Sequence, residues 1–243
     1  MYLLPLFLLL LFGIMVYLIW NFPWLTKYYM PIIYKERIPG SKIIVFSDTH
    51  IRKGTLPETL TRFIIKEKFD IVVVAGDLLE YGHRKISREE LRDKLTEVFD
   101  PILSHQFVGQ IFYVTSTSTH DPKIENVEEL ILRGVRMVVI PGVLILENTA
   151  KYYVTHGDYA SRNGAVSRIL NKVSGLWIER KLRKILRVPD NAWLICGHTH
   201  IPKIDYKVRI ANTGGWRKKL WIKPTCTVII IDSKSNEVFL KRL

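Results

Sequence analysis

The sequence predicts an α/β fold built from two β-sheets, with its chemistry at strand ends. Three observations lead there. Short β-branched runs, Lys42-Ile-Ile-Val-Phe46 and Asp70-Ile-Val-Val-Val-Ala75, alternate with helical patterns in the first half of the chain. Beyond residue 135 strand-like runs dominate, at 135–140, 143–146, 151–155, 192–196, 203–210, 225–231 and 237–241. Five polar clusters each open where such a run stops. Strand–helix–strand order with polar residues at strand C-termini is the pattern of an α/β sheet. The later strands predict a second sheet packed on the first.

The elements follow in chain order. Leu3 to Trp20 is an uncharged apolar run, and at 1.5 Å per residue it matches the ~30 Å hydrocarbon core of a bilayer. Tyr17, Trp20, Phe22, Trp24, Tyr28 and Tyr29 follow like an interfacial aromatic belt. Only Met1-Tyr2 precede the run, which does not make the basic start of a cleaved signal peptide. Residues 1–24 therefore read as a single-pass transmembrane anchor and residues 25–41 as a juxtamembrane linker. Lys27, Lys35, Arg37 and Lys42 flank the anchor on its C-terminal side, which places residues 42–243 in the cytoplasm by the positive-inside bias. Thr55 and Pro57 start a helix whose apolar face is Leu56, Leu60, Phe63 and Ile64. A polar helix is predicted over Ser87–Phe99, a buried strand at Ile111–Val114, and a helix near Val127–Arg133.

The 243 residues carry 36 Lys+Arg against 23 Asp+Glu, a net charge of +13 that favours anionic surroundings: phosphorylated substrates, nucleic acid or an anionic lipid surface. A recognition helix, an RNA-binding sheet signature and a basic tail are all missing, which argues against nucleic acid as a partner. Cys196 and Cys226 lack metal-binding spacing and read as two buried thiols.

The polar clusters are Asp48-x-His50, Gly76-Asp77, Thr119-His120-Asp121, His156-Gly-Asp158 and Gly197-His198-Thr-His200. One such histidine is commonplace after a strand; five clusters whose strand ends converge on one rim make a site. Imidazole together with carboxylate suits Mn, Fe, Zn or Co rather than Ca. In extended backbone, residues i and i+2 face the same side, so Asp-x-His and His-x-His pairs can each serve one metal or two neighbouring ones. Two divalent ions about 3.5–4 Å apart polarise a phosphoryl group and activate water, and they need a bridging carboxylate. Asp77 is the candidate bridge. His83 and His105 lie outside the pattern and read as loop histidines, and Glu80 as a supporting group rather than a ligand.

The order Asp-x-His, Gly-Asp, His-Asp, His, Gly-His-x-His over residues 42–216 resembles the calcineurin-like metallophosphoesterase superfamily. Gly76-Asp-Leu-Leu-Glu80, His156-Gly-Asp158, Gly197-His-Thr-His-Ile-Pro202 and Asn212-Thr-Gly-Gly-Trp216 resemble the branch containing UDP-2,3-diacylglucosamine pyrophosphatase. The resemblance implies a four-layer sandwich of two mixed sheets flanked by helices. It implies two divalent metals, manganese first, with Fe, Zn, Co or Ni as alternatives. One would be held by Asp48, His50, Asp77 and His200, the other by Asp77, His156, His198 and Thr119. A metal-bridging hydroxide would attack phosphorus in line, with His120 on the phosphate or leaving oxygen and Asp121 orienting its ring. The third motif departs from the family, with Ser118 and Thr119 in place of Gly and Asn. It also keeps a histidine where the diacylglucosamine branch has arginine.

Between His156 and Gly197 lies a basic insert, residues 159–190, that predicts two helices around Gly175. Val166, Ile169, Leu170, Val173 and Trp177 form one apolar face. Arg162, Arg168, Lys172, Arg180, Lys181, Arg183, Lys184 and Arg187 supply the charge. In an anchored protein this predicts a lid or membrane-surface element, with Arg162, Arg168, Arg180, Lys181, Arg183 and Lys184 facing substrate or anionic headgroups. The expected function is a membrane-anchored dinuclear-metal phosphohydrolase acting on a lipid-linked or nucleotide-lipid phosphodiester or diphosphate. Its rivals are a nucleotide phosphodiesterase or nuclease, and a catalytically impaired metal- or phosphate-binding membrane protein.

Overall fold

The computed structural model describes residues 3–25, 31–117, 120–218 and 223–243, with side chains from Leu6 onward. Strands β2 (Lys42–Phe46), β3 (Ile71–Ala75), β4 (Gln110–Val114), β5 (Glu128–Leu132), β6 (Val135–Ile140), β12 (Thr227–Asp232) and β13 (Glu237–Arg242) form a seven-stranded sheet, in the order β13-β12-β2-β3-β4-β6-β5. The other sheet has six strands, in the order β1-β7-β8-β9-β11-β10. They are β1 (Ile32–Arg37), β7 (Gly142–Glu147), β8 (Lys151–Val154), β9 (Trp193–Cys196), β10 (Lys203–Asp205) and β11 (Ile210–Asn212). Both sheets mix parallel and antiparallel pairs.

The burial patterns explain the layering. Strands β3 and β4 are apolar on both faces because both are covered. One face, with Ile44, Val72, Val74, Ile111 and Tyr113, packs on α2 (Glu58–Glu67) and α3 (Arg88–Leu103). The other, with Ile43, Val45, Val73, Phe112 and Val138, meets Leu144, Tyr152, Val154 and Ile195 of the second sheet. That sheet's far face holds Leu194 and Ile210 against Ile178 and Leu182 of α5 (Trp177–Ile185), which pairs with α4 (Gly164–Ser174). The result is helix, sheet, sheet, helix.

The structure corrects four expectations. Residues 128–132 are a strand, not a helix, because Leu130 and Leu132 alternate with exposed Glu129 and Ile131. Arg133 and Gly134, at φ 47° and 86°, close a two-residue hairpin onto β6, the turn that positive φ at both positions favours. Residues 203–210 split into two short strands around a turn in which Asp205 Oδ1 accepts the N–H groups of Lys207 and Val208. The stretch read as linker contributes β1, paired in parallel with β7. Finally, Leu3–Asn21 is helical (α1), and its side chains from Leu6 to Trp20 are exposed all round. Among the described residues, however, no helix is long and apolar enough to cross a membrane, so the structure does not support the predicted span.

Candidate metal centre

Strands β2, β3, β8 and β9 end on one rim, and each delivers a predicted ligand there. Asp48 and His50 follow β2, Asp77 follows β3, His156 follows β8, and His198 and His200 follow β9. All six are buried. They do not adopt the extended backbone from which the i, i+2 spacing was argued. Asp48, His50, Asp77, His198 and His200 have φ of 56°, 48°, 50°, 74° and 53°. The chain turns sharply as it leaves each strand, so neighbouring ligands converge by curling back rather than by pointing the same way. A left-handed backbone costs a non-glycine residue roughly 1–3 kcal/mol and clusters at functional sites. Glycines make the room. A Cβ on Gly76 would overlap the His156 ring, one on Gly197 would overlap Ser47 and Asp48, and one on Gly215 would overlap His200.

The distances tie the rim together. Asp48 Oδ1 lies 3.2 Å from His200 Nε2, and Asp48 Oδ2 accepts the His198 N–H at 3.0 Å and the Ser47 hydroxyl. Asp77 Oδ2 lies 3.3 Å from His156 Nε2 and 3.7 Å from His50 Nε2, while Asp77 Oδ1 accepts the Ser116 hydroxyl at 2.6 Å. His156 Nδ1–H donates to the Ala75 carbonyl at 2.9 Å, which turns Nε2 toward Asp77 and His198 Nδ1, the latter 3.2 Å away. Asp48, His50 and His200 each offer a ligand atom within 4.8 Å of the others, and so do Asp48, Asp77 and His156. Among the described residues, His50 Nδ1 and Nε2, His198 Nε2 and Asp48 Oδ1 are buried without a hydrogen-bond partner. Orphaned buried donors and acceptors are costly, and four on one rim fit a group that would bind them, namely divalent metal.

Electrostatics agree. Burial pushes the His50 imidazole down to about 4, and burial with the neighbouring His156 does the same to His198, so both are neutral near pH 7, as ligation requires. Burial alone would raise Asp77, yet His156, His50 and His120 hold it well below the usual carboxylate range. Burial also opposes the lowering of Asp48, which the surrounding imidazoles impose. His156 moves the opposite way: burial disfavours its charge, but Asp77 and Asp48 raise it well above an ordinary histidine.

The third motif is reorganised. Thr119 lies outside the described residues, as does Ser118. Asp121 does not orient His120. Its Oδ2 accepts the N–H groups of Asp77 and Ser116, both at 2.8 Å, and its Oδ1 accepts the Leu79 N–H at 3.1 Å and the Tyr113 hydroxyl. Burial, with Asp77 nearby, raises Asp121 to about 6. It holds the Asp77 turn from behind. The His120 ring belongs instead to Glu80: Nδ1–H donates to Oε1 at 2.8 Å, and Arg217 pairs with Oε2. Burial would raise Glu80, but His120, Arg217 and His50 hold it low, so it remains a carboxylate. His50, Glu80 and His120 form a third close group, with the two rings edge to face at 4.4 Å.

Of the six predicted charges of the insert, one touches this rim among the described residues. Arg168 Nη1 donates to the His200 carbonyl at 2.8 Å. Arg162 lies over the Trp20 ring, and Lys181 Nζ sits 3.5 Å from the centre of Trp24. Arg180 approaches Asp205 at 3.9 Å, and Lys184 is exposed. Arg183 is committed to the carbonyls of Pro189, Ala192 and Arg209.

Sequence reasoning missed Arg217, and it missed Glu179 as a link. Glu179 is a fully buried acid that accepts from Asn171, Asn212 and Thr199, fastening the insert to the Gly197–His200 turn. A lone acid on the apolar side of a basic helix was the available signal. A cavity of about 580 Å³ lies elsewhere, at the opposite strand ends. Cavity size is the usual pointer to a site, but here the strained backbone and orphaned ligand atoms outweigh it.

Residues 42–236 match the family described as the calcineurin-like phosphoesterase superfamily domain. No curated protein matches. Among solved structures, zinc-bound Vps29 from Entamoeba histolytica is 15% identical, covering 83% of this chain and 98% of its own at a TM-score of 0.41. A predicted phosphoesterase from Streptococcus pneumoniae is 15% identical (83% and 95% covered, TM-score 0.39). A structure described as a novel archaeal phosphodiesterase is 16% identical (83% and 99% covered, TM-score 0.38).

Proposed function

Because this chain belongs to the calcineurin-like phosphoesterase superfamily, whose members bind divalent metals, we propose that its rim hydrolyses a phosphodiester or diphosphate of a lipid-linked substrate. The protein is a metal-dependent phosphoesterase. The observation that carries the reading is the set of buried, unpartnered ligand atoms on Asp48, His50 and His198 beside the Asp77–His156 pair. Asp48, His50, Asp77 and His200 would hold one metal; Asp77, His156, His198 and Thr119 would hold the other, manganese foremost. Bound there, divalent metal supplies Lewis-acid stabilisation of the phosphoryl oxygens and lowers the pKa of water.

The chain's own residues do the rest. Glu80 fixes the His120 tautomer by accepting the Nδ1 proton, so Nε2 faces the site as the group that passes a proton to the leaving oxygen. The Glu80 carboxylate stabilises the imidazolium that this role requires, and Arg217 holds Glu80 in place. Asp121 fixes the Asp77 turn through two backbone N–H groups of the rim.

Two features support a lipid setting. The α1 surface from Leu6 to Trp20 is apolar and exposed. Its C-terminal end is docked on the insert: buried Asn21 accepts the N–H groups of Arg162 and Asn163, and Trp24 Nε1–H donates to the Ala160 carbonyl. Ile169, Val173 and Trp177 of the insert are exposed nearby, Trp177 edge-on to Phe22. In this reading the exposed apolar surface of α1 rests against a lipid surface beside the insert.

Purified protein with manganese and bis-p-nitrophenyl phosphate tests the reaction, and hydrolysis lost on Asp77→Asn is the expected result. No turnover with Mn, Fe, Co, Ni or Zn would leave only metal or phosphate binding. Thr119→Asn, which restores an amide oxygen, is expected to tighten the second metal in a calorimetric titration.

A further inference from the structure

The seven-stranded sheet has a second concave end. At the amino ends of β2, β3 and β4 lies a cavity of about 580 Å³, bounded by the β1–β2 connection, the end of α2 and the α3–β4 connection. Pockets for small ligands run from roughly 300 to 1,000 Å³. Five-residue strands at about 3.3 Å per residue hold this end roughly 16 Å from the metal rim. The cavity is therefore a separate place, and no step of phosphoester cleavage draws on it.

Its lining is split in character. Ile65 and Phe107 are half-buried along the wall, and Val108 at the mouth is 96% exposed, the most exposed of the large apolar side chains. Arg37 and Lys68 also line it, both exposed, and among the described residues neither has a carboxylate partner. His105 directs Nδ1–H to the Pro101 carbonyl at 2.7 Å, which leaves Nε2 available. Asp70 is the one acid of the lining, and its Oδ2 already accepts the Lys42 N–H at 2.7 Å. Beside the cavity, Lys42 pairs with Glu67 and Arg136 with Glu129. Two unpaired cations beside an apolar wall make a surface complementary to a molecule with one anionic end and a hydrocarbon body.

We infer that this cavity binds a single-chain acyl carboxylate. Its headgroup meets the Arg37 guanidinium and the Lys68 ammonium, and its chain lies on Ile65, Phe107 and Val108. A guanidinium offers paired donors that a planar carboxylate accepts in two parallel hydrogen bonds. Burial of the chain adds the hydrophobic driving force of each methylene removed from water.

A photoactivatable diazirine decanoate tests the inference on the full chain, reconstituted in phosphatidylcholine nanodiscs, with labelled peptides mapped by mass spectrometry. Label is expected on peptides spanning 64–71 or 102–110. It should be competed by unlabelled decanoate and fall at least five-fold in Arg37→Gln/Lys68→Gln, whose exposed side chains leave the fold intact. Decanol should compete at least five-fold less well. Label confined to α1, or label indifferent to the double substitution, would overturn the inference. Stronger competition by decyl phosphate than by decanoate would overturn the carboxylate assignment.

Discussion

The metal rim and the basic insert are adjacent, both rich in polar side chains, and built on opposite terms. On the rim, buried ligand atoms of His50, His198 and Asp48 lack hydrogen-bond partners among the described residues, and five ligands sit in a left-handed backbone. In the insert, Asn171 donates to Glu179 and accepts the Ile178 N–H, Asn163 caps α4 with its side chain, and Glu179 is satisfied by three neighbours. Strained backbone and clustered ligand atoms mark the place that would hold metal; satisfied polar groups mark the frame that supports it. If that contrast is right, substitutions on the rim remove activity while leaving the fold, and insert substitutions do the reverse.

The largest effect is expected at Asp77. Asp77→Asn removes the charge shared by both candidate sites and should lower bis-p-nitrophenyl phosphate turnover by on the order of 10³-fold, several kcal/mol of transition-state stabilisation. Circular dichroism should be unchanged, since Asp121 still holds the turn by its backbone. A destabilised Asp77→Asn with residual turnover would erase the distinction between rim and frame.

His120→Ala comes next, at about 10²–10³-fold in kcat, the usual worth of a positioned proton donor. Glu80→Gln should cost roughly 10–100-fold, as loss of a supporting carboxylate does. Asp121→Asn should not mimic Glu80→Gln in its kcat pH profile, because Asp121 does not touch the ring. Matching profiles for the two variants would return the orienting role to Asp121.

The sequence made the rim legible because its information is local. Asp48-x-His50, Gly76-Asp77 and Gly197-His-Thr-His200 carry their ligands and their space-making glycines within a few residues. The sheets were legible for the same reason, since β2 and β3 announce themselves by composition. What failed needed distant partners. Glu80 meets His120 across 40 positions and Arg217 across 137, distances no spacing rule covers. Residues 128–132 are apolar enough for either element, and the neighbouring β6, with its two-residue turn, decides for a strand. Leu3–Trp20 reads as a span from hydropathy alone, whereas α1 does not meet the length and apolarity a crossing needs among the described residues.

Protonation sharpens the comparison. With Asp77 and Asp48 beside it, His156 is raised well above an ordinary histidine and carries its proton at pH 7 in the metal-free protein. That charge pair stabilises the fold fully below the unfolded histidine value and is lost as pH rises through the raised folded one. Metal must displace the proton, so binding at pH 7 should release about one proton per protein from this residue. Calorimetric titration of manganese in buffers of different ionisation enthalpy measures it. Affinity should weaken about tenfold per unit of falling pH below neutrality. His50 and His198, already neutral through burial, add no release. Zero release would mean that His156 is not a ligand or is not charged.

The insert should move turnover least. Arg183→Gln loses charged donors to Pro189, Ala192 and Arg209 while its side chain is only 11% exposed, so it should cost about 1.5–3 kcal/mol of stability. Lys184→Gln, one residue on and exposed, should stay within about 0.5 kcal/mol. Neither should change bis-p-nitrophenyl phosphate turnover more than about twofold, because neither contacts a rim ligand. Both outcomes are read from urea midpoints and initial rates on the same preparations. A Lys184→Gln protein that keeps its midpoint but loses turnover would make the exposed charge of α5 part of the reaction. The insert would then belong with the rim rather than with the frame.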